Sequence, residues 1–183
     1  MRPVSARVSR VSCTHHGRGA AALIGRACVA VALLAFATAA HAGAECSITS
    51  VGMNFGLYDP ANAQPDDVAT TITVTCVYVP PGTTGVSYTI ALSNGLHGAD
   101  AASRHMRGPE GLLGYNLYAD FARTRPWGTG SGGTVVAAGS MTVGPGVGNG
   151  TRTETHTVYG RVPALQDALP GDYFDTLMVT LSY

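Results

Sequence analysis

From Cys46 onward the chain is a series of short runs in which apolar and hydroxyl-bearing side chains alternate, separated by Gly, Pro and Asn. A period of two puts successive side chains on opposite faces of a pleated strand, so each run predicts a half-buried strand. Val68–Val79 shows it best. Val68, Thr70, Ile72, Val74 and Cys76 share one face, Ala69, Thr71, Thr73, Thr75 and Val77 the other, and Pro80-Pro81-Gly82 ends the run. Cys46–Phe55 predicts the preceding strand, with Ile48, Val51, Met53 and Phe55 inward, before a turn at Gly56-Leu57-Tyr58-Asp59-Pro60. Val86–Leu92 closes at Asn94-Gly95, a pair suited to the positive φ of a tight turn. A polar loop runs to Gly111, and Leu112–Phe121 then sets Leu113, Tyr115, Leu117 and Ala119 on one face. After a Gly-rich stretch around Trp127, Thr134–Val143, Thr153–Val162 and Asp172–Tyr183 complete a set of about seven strands. Long helical periodicity is absent, and the pattern predicts an all-β sandwich.

The segment ahead of Cys46 reads differently. Arg2, Arg7, Arg10, Arg18 and Arg26 precede an apolar run, Ala27 to Ala40, that ends in small residues with Ala-x-Ala patterns at Ala40–Ala42 and Ala42–Ala44. This predicts a secretory signal peptide over residues 1–44, its core well short of the roughly 20 residues a membrane-spanning helix needs. One domain is then expected over residues 45–183, a usual size for a single core.

Removing the leader changes the charge. Six arginines stand against eleven acids, a net of −5, and there is no lysine. Scattered arginines on a mildly acidic domain exclude a nucleic-acid partner. Of the four cysteines, Cys13 and Cys28 fall in the leader, and Cys46 and Cys76 remain as a pair in a chain bound for an oxidising compartment. A Cys46–Cys76 disulfide is expected.

Candidate chemistry is sparse. His97, His105, Asp100 and Arg104 share a polar loop, Ser131 lies in Gly-Ser-Gly-Gly, and Asp66-Asp67 and Asp172/Asp175 are acidic pairs. None has the spacing of a nucleophile elbow, a calcium loop or a zinc site, so neither an enzyme, a metal nor a cofactor is expected. Trp127, flanked by Arg123, Arg125 and glycines, is a candidate aromatic contact to a sugar or surface, set against core packing at a loop.

Several motifs, taken in order, carry a family resemblance. They are Phe55-Gly56-Leu57-Tyr58-Asp59-Pro60, the strand ending ITVTC at Cys76, Arg104 with Met106, YNLY at Tyr115–Tyr118, Trp127-Gly128-Thr129-Gly130, VYGR at Val158–Arg161 with Pro163, and GDYFD followed by Leu177, Val179, Leu181 and Tyr183. The chain resembles the spore coat protein U domain shared by subunits of Csu-type archaic chaperone–usher pili. The resemblance implies an immunoglobulin-like sandwich that lacks its last strand and is completed by a donated one. It also implies export through the periplasm to the cell surface or an extracellular fibre. The implied partners are a periplasmic chaperone, an outer-membrane usher and sister pilus subunits, and the implied role is structural or adhesive, as in attachment and biofilm. Strand donation is a form of β-augmentation. Phe174, Leu177, Val179, Leu181 and Tyr183 are the candidates for the groove or edge that receives the strand, and they are expected to be partly uncovered. Only Gly43-Ala44-Glu45 precedes Cys46 on this reading, so the chain is expected to accept a strand but not to donate one. A self-sufficient secreted module that binds carbohydrate or surfaces is the alternative.

Overall fold

The computed structural model describes residues 4–5, 7–13, 43–80 and 84–183. The apolar run Ala27–Ala40 and the cleavage sites expected after it lie outside these residues. The strands are β1 (Val4–Ser5), β2 (Arg7–Cys13), β3 (Gly43–Ser50), β4 (Asn54–Gly56), β5 (Asp66–Val79), β6 (Thr84–Leu92), β7 (Arg104–Arg107), β8 (Leu112–Tyr118), β9 (Ala137–Val143), β10 (Thr151–Val162) and β11 (Thr176–Ser182). One 3-10 turn, Gly148–Gly150, precedes β10. A five-stranded sheet in the order β3-β5-β10-β8-β7 faces a four-stranded sheet in the order β2-β11-β6-β9, and β1 pairs with β4 apart from both. Every pairing is antiparallel except that of β11 with β2.

The alternation in the sequence becomes the two inner faces. Ile72, Val74, Val158, Val162, Leu113 and Leu117 come from one sheet, Val86, Ile90, Leu92, Val179 and Leu181 from the other, and all are buried. Each such side chain contributes roughly 1.5–3 kcal/mol on burial. Gly160 also faces inward on β10. A Cβ there would meet the Met53 side chain and come within 2.9 Å of Phe55, so glycine leaves the space those two residues fill.

Three expected elements change. The single strand expected over Cys46–Phe55 breaks into β3 and β4, because the chain turns away from β5 after Val51, whose N–H still reaches the Thr71 carbonyl at 3.3 Å. Val51 is consequently 64% exposed rather than inward, and Met53 and Phe55 return to the core. The polar loop before Gly111 contains β7, in which Arg104 and Met106 share the buried face. The last strand starts at Thr176 rather than Asp172, since Phe174 makes an isolated bridge to Arg107 instead.

The inner surface is not wholly apolar. Tyr88 on β6 donates its hydroxyl hydrogen to Glu154 Oε2 at 2.5 Å, and the Tyr88 hydroxyl oxygen lies 2.8 Å from His156 Nε2. Burial, together with Glu154, pushes the Tyr88 hydroxyl well above the usual tyrosine range, so it stays protonated and donates. Gly139 opposite has no Cβ to block that hydroxyl.

Cys46 and Cys76 sit opposite each other across β3 and β5 and form the expected disulfide, closing a separation of 30 residues. A loop of that length is worth about 3–4 kcal/mol in the chain-entropy model. Cys46→Ser and Cys76→Ser should therefore each lower the unfolding free energy by about that amount in urea titrations, and the double substitution should cost no more than either.

On the outer face, Arg161 forms a forked pair with Asp67, both contacts at 2.7 Å, and Arg123 Nε adds a third at 3.3 Å. Asp67 is the register partner of Arg161 on β5. The Arg161 hydrogen bonds hold the Asp67 carboxyl below its usual 3.8; burial opposes this, and the charges of Arg123 and Arg161 add to it. A lowered folded value means that the contribution is complete above pH 3.8 and is lost as pH falls below that through the folded value. Both partners are about one-third exposed, which limits the effect to no more than about 1 kcal/mol. Asp67→Asn should lower the urea midpoint slightly at pH 7, and the gap from the parent should close by pH 2.

Candidate functional site

β11 is bounded on one side by β6, with Val179 opposite Leu92 and Leu181 opposite Ile90. Its other edge is closed by β2, a parallel strand from far outside the sandwich, with pairs running from Thr176 opposite Arg7 to Leu181 opposite Cys13. The register slips between Leu177 and Met178.

Of the residues expected at this edge, Leu177, Val179 and Leu181 are 1%, 0% and 0% exposed, not partly uncovered, with Arg7–Cys13 lying alongside. Tyr183 is half-buried against the core. Phe174 lies outside β11 and is 55% exposed. The outward Met178 and the loop residue Leu96, both exposed, line a cavity of about 550 Å³ with Ser93 and Thr176 at the start of the strand. Leu96 was not legible as part of this site, because only the fold brings the loop after β6 against β11.

Two buried charges build that corner. Asp175, fully buried, accepts hydrogen bonds from the Leu96 and Thr176 amides, both at 2.8 Å, and from the Tyr115 hydroxyl at 2.7 Å. Burial, followed by the Asp175 charge, drives the Tyr115 hydroxyl far above its usual range, so it remains a donor. Gly95, at φ +82°, presses on the Asp175 carboxylate, and any Cβ would overlap it. Arg104, only 1% exposed, donates to the carbonyls of Ser93, Ala101 and Trp127 and to Asn116 Oδ1, at 2.7–2.9 Å. Burial lowers its guanidinium to about 10, with Tyr115 and Asp175 opposing, so it is charged at neutral pH. The loop from Ser93 to Ser103 is therefore tied from beneath, and the edge of β11 rests on it.

The other candidates resolve as structure. Arg104 leaves the supposed loop cluster for the interior, and Asp100 caps its own turn through the Ala102 amide. Ser131 bonds to Thr129 on the surface, and among the described residues no group of three or more His, Cys, Asp or Glu could hold a metal. Tyr173 is buried, its hydroxyl donating to the Leu169 carbonyl at 2.9 Å. Trp127 is 1% exposed and donates its indole N–H to the Ile90 carbonyl at 2.9 Å, so it cannot serve as a surface contact. The exposed aromatic nearby is Phe121, at 77%.

Comparison with known proteins agrees with this architecture. A chain from the CsuC-CsuE chaperone–tip adhesion subunit pre-assembly complex, from archaic chaperone-usher Csu pili of Acinetobacter baumannii, is similar in fold. Its TM-score is 0.51 at 18% identity, with 76% of the present chain aligned. The present chain spans 40% of that chain's length. No curated protein matches. The sequence model of the Spore Coat Protein U domain matches residues 32–180, which places this chain in that family.

Proposed function

We propose that this protein is a structural or adhesive subunit of a chaperone–usher surface fibre or coat, in which the edge of β11 accepts a strand lent first by a periplasmic chaperone and then by a sister subunit. The observation that carries this reading is the pairing of β11. Among the described residues the sandwich supplies a neighbour on the β6 side only, and the strand on the other side comes from residues that the sequence pattern predicts to be a cleaved leader. Once those residues are gone, the backbone of Thr176–Ser182 has an open edge, and Leu177, Val179 and Leu181 lose cover. Leaving such side chains open forfeits up to roughly 1.5–3 kcal/mol each, which a strand added from outside restores. The related solved chain belongs to a complex of a chaperone with a subunit, which supports the same class of partner. Export, an outer-membrane usher and a role without catalysis follow from this reading.

The test is periplasmic expression with and without a periplasmic chaperone of the archaic chaperone–usher class. Expressed alone, the processed chain should be degraded or aggregate. Co-expression should yield a one-to-one complex, and a peptide of about 12 alternating apolar residues should displace the chaperone and raise the melting temperature. A processed chain that is a stable, fully folded monomer with no partner would overturn the proposal.

A further inference from the structure

The outward face of the five-stranded sheet carries an ordered array of hydroxyls. Ser47, Thr75 and Thr153 lie opposite one another across β3, β5 and β10, and Thr49, Thr73 and Thr155 form the next row. Thr71 and Thr157 continue it by one more step. Strands lie about 4.8 Å apart and alternate residues about 6.6 Å apart, so these side chains form a two-dimensional lattice. Few of the hydroxyls are committed. Thr75 bonds to Thr153 at 3.2 Å and Ser47 to the Thr75 carbonyl at 3.4 Å, while those of Thr49, Thr71, Thr73, Thr155 and Thr157 have no hydrogen-bond partner among the described residues.

One end of the array is closed by a built aromatic corner. Tyr159, the next outward residue after Thr157 on β10, meets the Phe121 ring edge-to-face at 5.9 Å. The Arg123 guanidinium lies 5.8 Å from the centre of each ring and is held by Asp67 and the Gly160 carbonyl. Arg123 adopts φ +56°, uncommon for a side-chain-bearing residue, and Asp120 fixes the loop by accepting from the Thr124 and Arg125 amides and the Thr124 hydroxyl. Phe121 is thus presented at 77% exposure by a loop with its own bonding network.

We infer that this face is a binding site for a neutral polysaccharide, with Phe121 stacking on one sugar ring, Tyr159 standing at right angles to it as the wall of the corner, and the threonine array bonding to the hydroxyls beyond. Charge selects the ligand. The three rows hold no ionisable group. At one border Asp67, Arg161 and Arg123 are paired with one another, and at the other the exposed acid Glu45 stands opposite Val77, so a polyanion finds no counter-charge. A hydroxyl both donates and accepts, which matches a polymer of hydroxyls. The negative face of an aromatic ring suits the C–H face of a pyranose, and a cation behind the rings fixes their position. The site lies on the sheet that does not contain β11, so it is independent of strand acceptance.

The test is affinity electrophoresis of the exported chain, purified with its strand donor where one is needed, in native gels containing hydroxyethylcellulose, glucomannan or the polyanion alginate. Retardation is expected with the two neutral polymers and not with alginate. Phe121→Ala and the double substitution Thr73→Val with Thr155→Val should each weaken it about tenfold, with melting temperatures unchanged because all three positions face solvent. Three results would overturn the inference. These are no retardation by either neutral polymer, retardation that both variants leave intact, and self-association in sedimentation that the threonine variant abolishes while glycan binding is absent. The last would assign the face to a second copy of the chain.

Discussion

Arg104→Met is expected to destabilise the domain by about 3–5 kcal/mol, the size measured when one partner of a buried charged network is removed. Methionine fills a similar volume with no donor, so the carbonyls of Ser93, Ala101 and Trp127 and the Asn116 side-chain oxygen would all lose a bond in the interior. Each buried acceptor left unsatisfied costs about 1–3 kcal/mol, and the costs overlap because the chain can relax around them. Arg104→Lys keeps the charge without the planar fork and cannot reach acceptors on opposite sides at once, so it should recover only part of the loss. Urea unfolding of the strand-completed protein gives the values. Hydrogen exchange should show the Leu96 amide losing protection first, because the loop after Ser93 is what Arg104 ties down. A loss below about 1 kcal/mol for Arg104→Met would mean that the loop is held by other contacts.

Trp127→Ala should cost about the same, 3–5 kcal/mol, by leaving a cavity between the sheets. The residue links the two layers: its amide donates to the Leu117 carbonyl at 2.8 Å and its indole N–H to the Ile90 carbonyl, while its ring meets His156 edge-on at 6.4 Å. Trp127→Phe keeps most of the volume and orphans only the Ile90 carbonyl, so about 1–3 kcal/mol is expected. A surface aromatic would behave in the opposite way, with stability unchanged and ligand retention lost. Comparing the melting temperature and the glycan retention of Trp127→Ala with those of Phe121→Ala therefore separates packing from recognition in one experiment.

Alternation made most of the strands legible. In β5, the face of Ile72, Val74 and Cys76 is buried and the threonine face is open, because a strand covered on one side only must place its apolar residues at every second position. The disulfide was equally legible, since Cys46 and Cys76 are the two cysteines that lie beyond the predicted leader, and such a pair has a single way to form one. The limits appear at Arg104 and Trp127. Both stand among polar or glycine-rich neighbours, and both are buried because their hydrogen-bond acceptors come from segments distant in sequence: the carbonyl of Ser93 for Arg104, and that of Ile90 for Trp127. Val51 marks a second limit. Its period-two position predicted an inward side chain, but period two holds only while the strand remains paired, and the chain leaves β5 there.

The sequence by itself determined where most of the long strands run, which of their alternating faces could turn to a core, and the redox chemistry of Cys46 and Cys76, because these depend on local spacing and on side-chain type. Tertiary structure alone decided three further things: which side of β11 lacks a neighbour from the sandwich, which polar residues are drawn inside, and how the threonines of β3, β5 and β10 align into one face. Each of these is fixed by which strands become neighbours and in what register. Strand order and register are long-range choices, settled by packing two sheets over a shared core, and no local pattern records them.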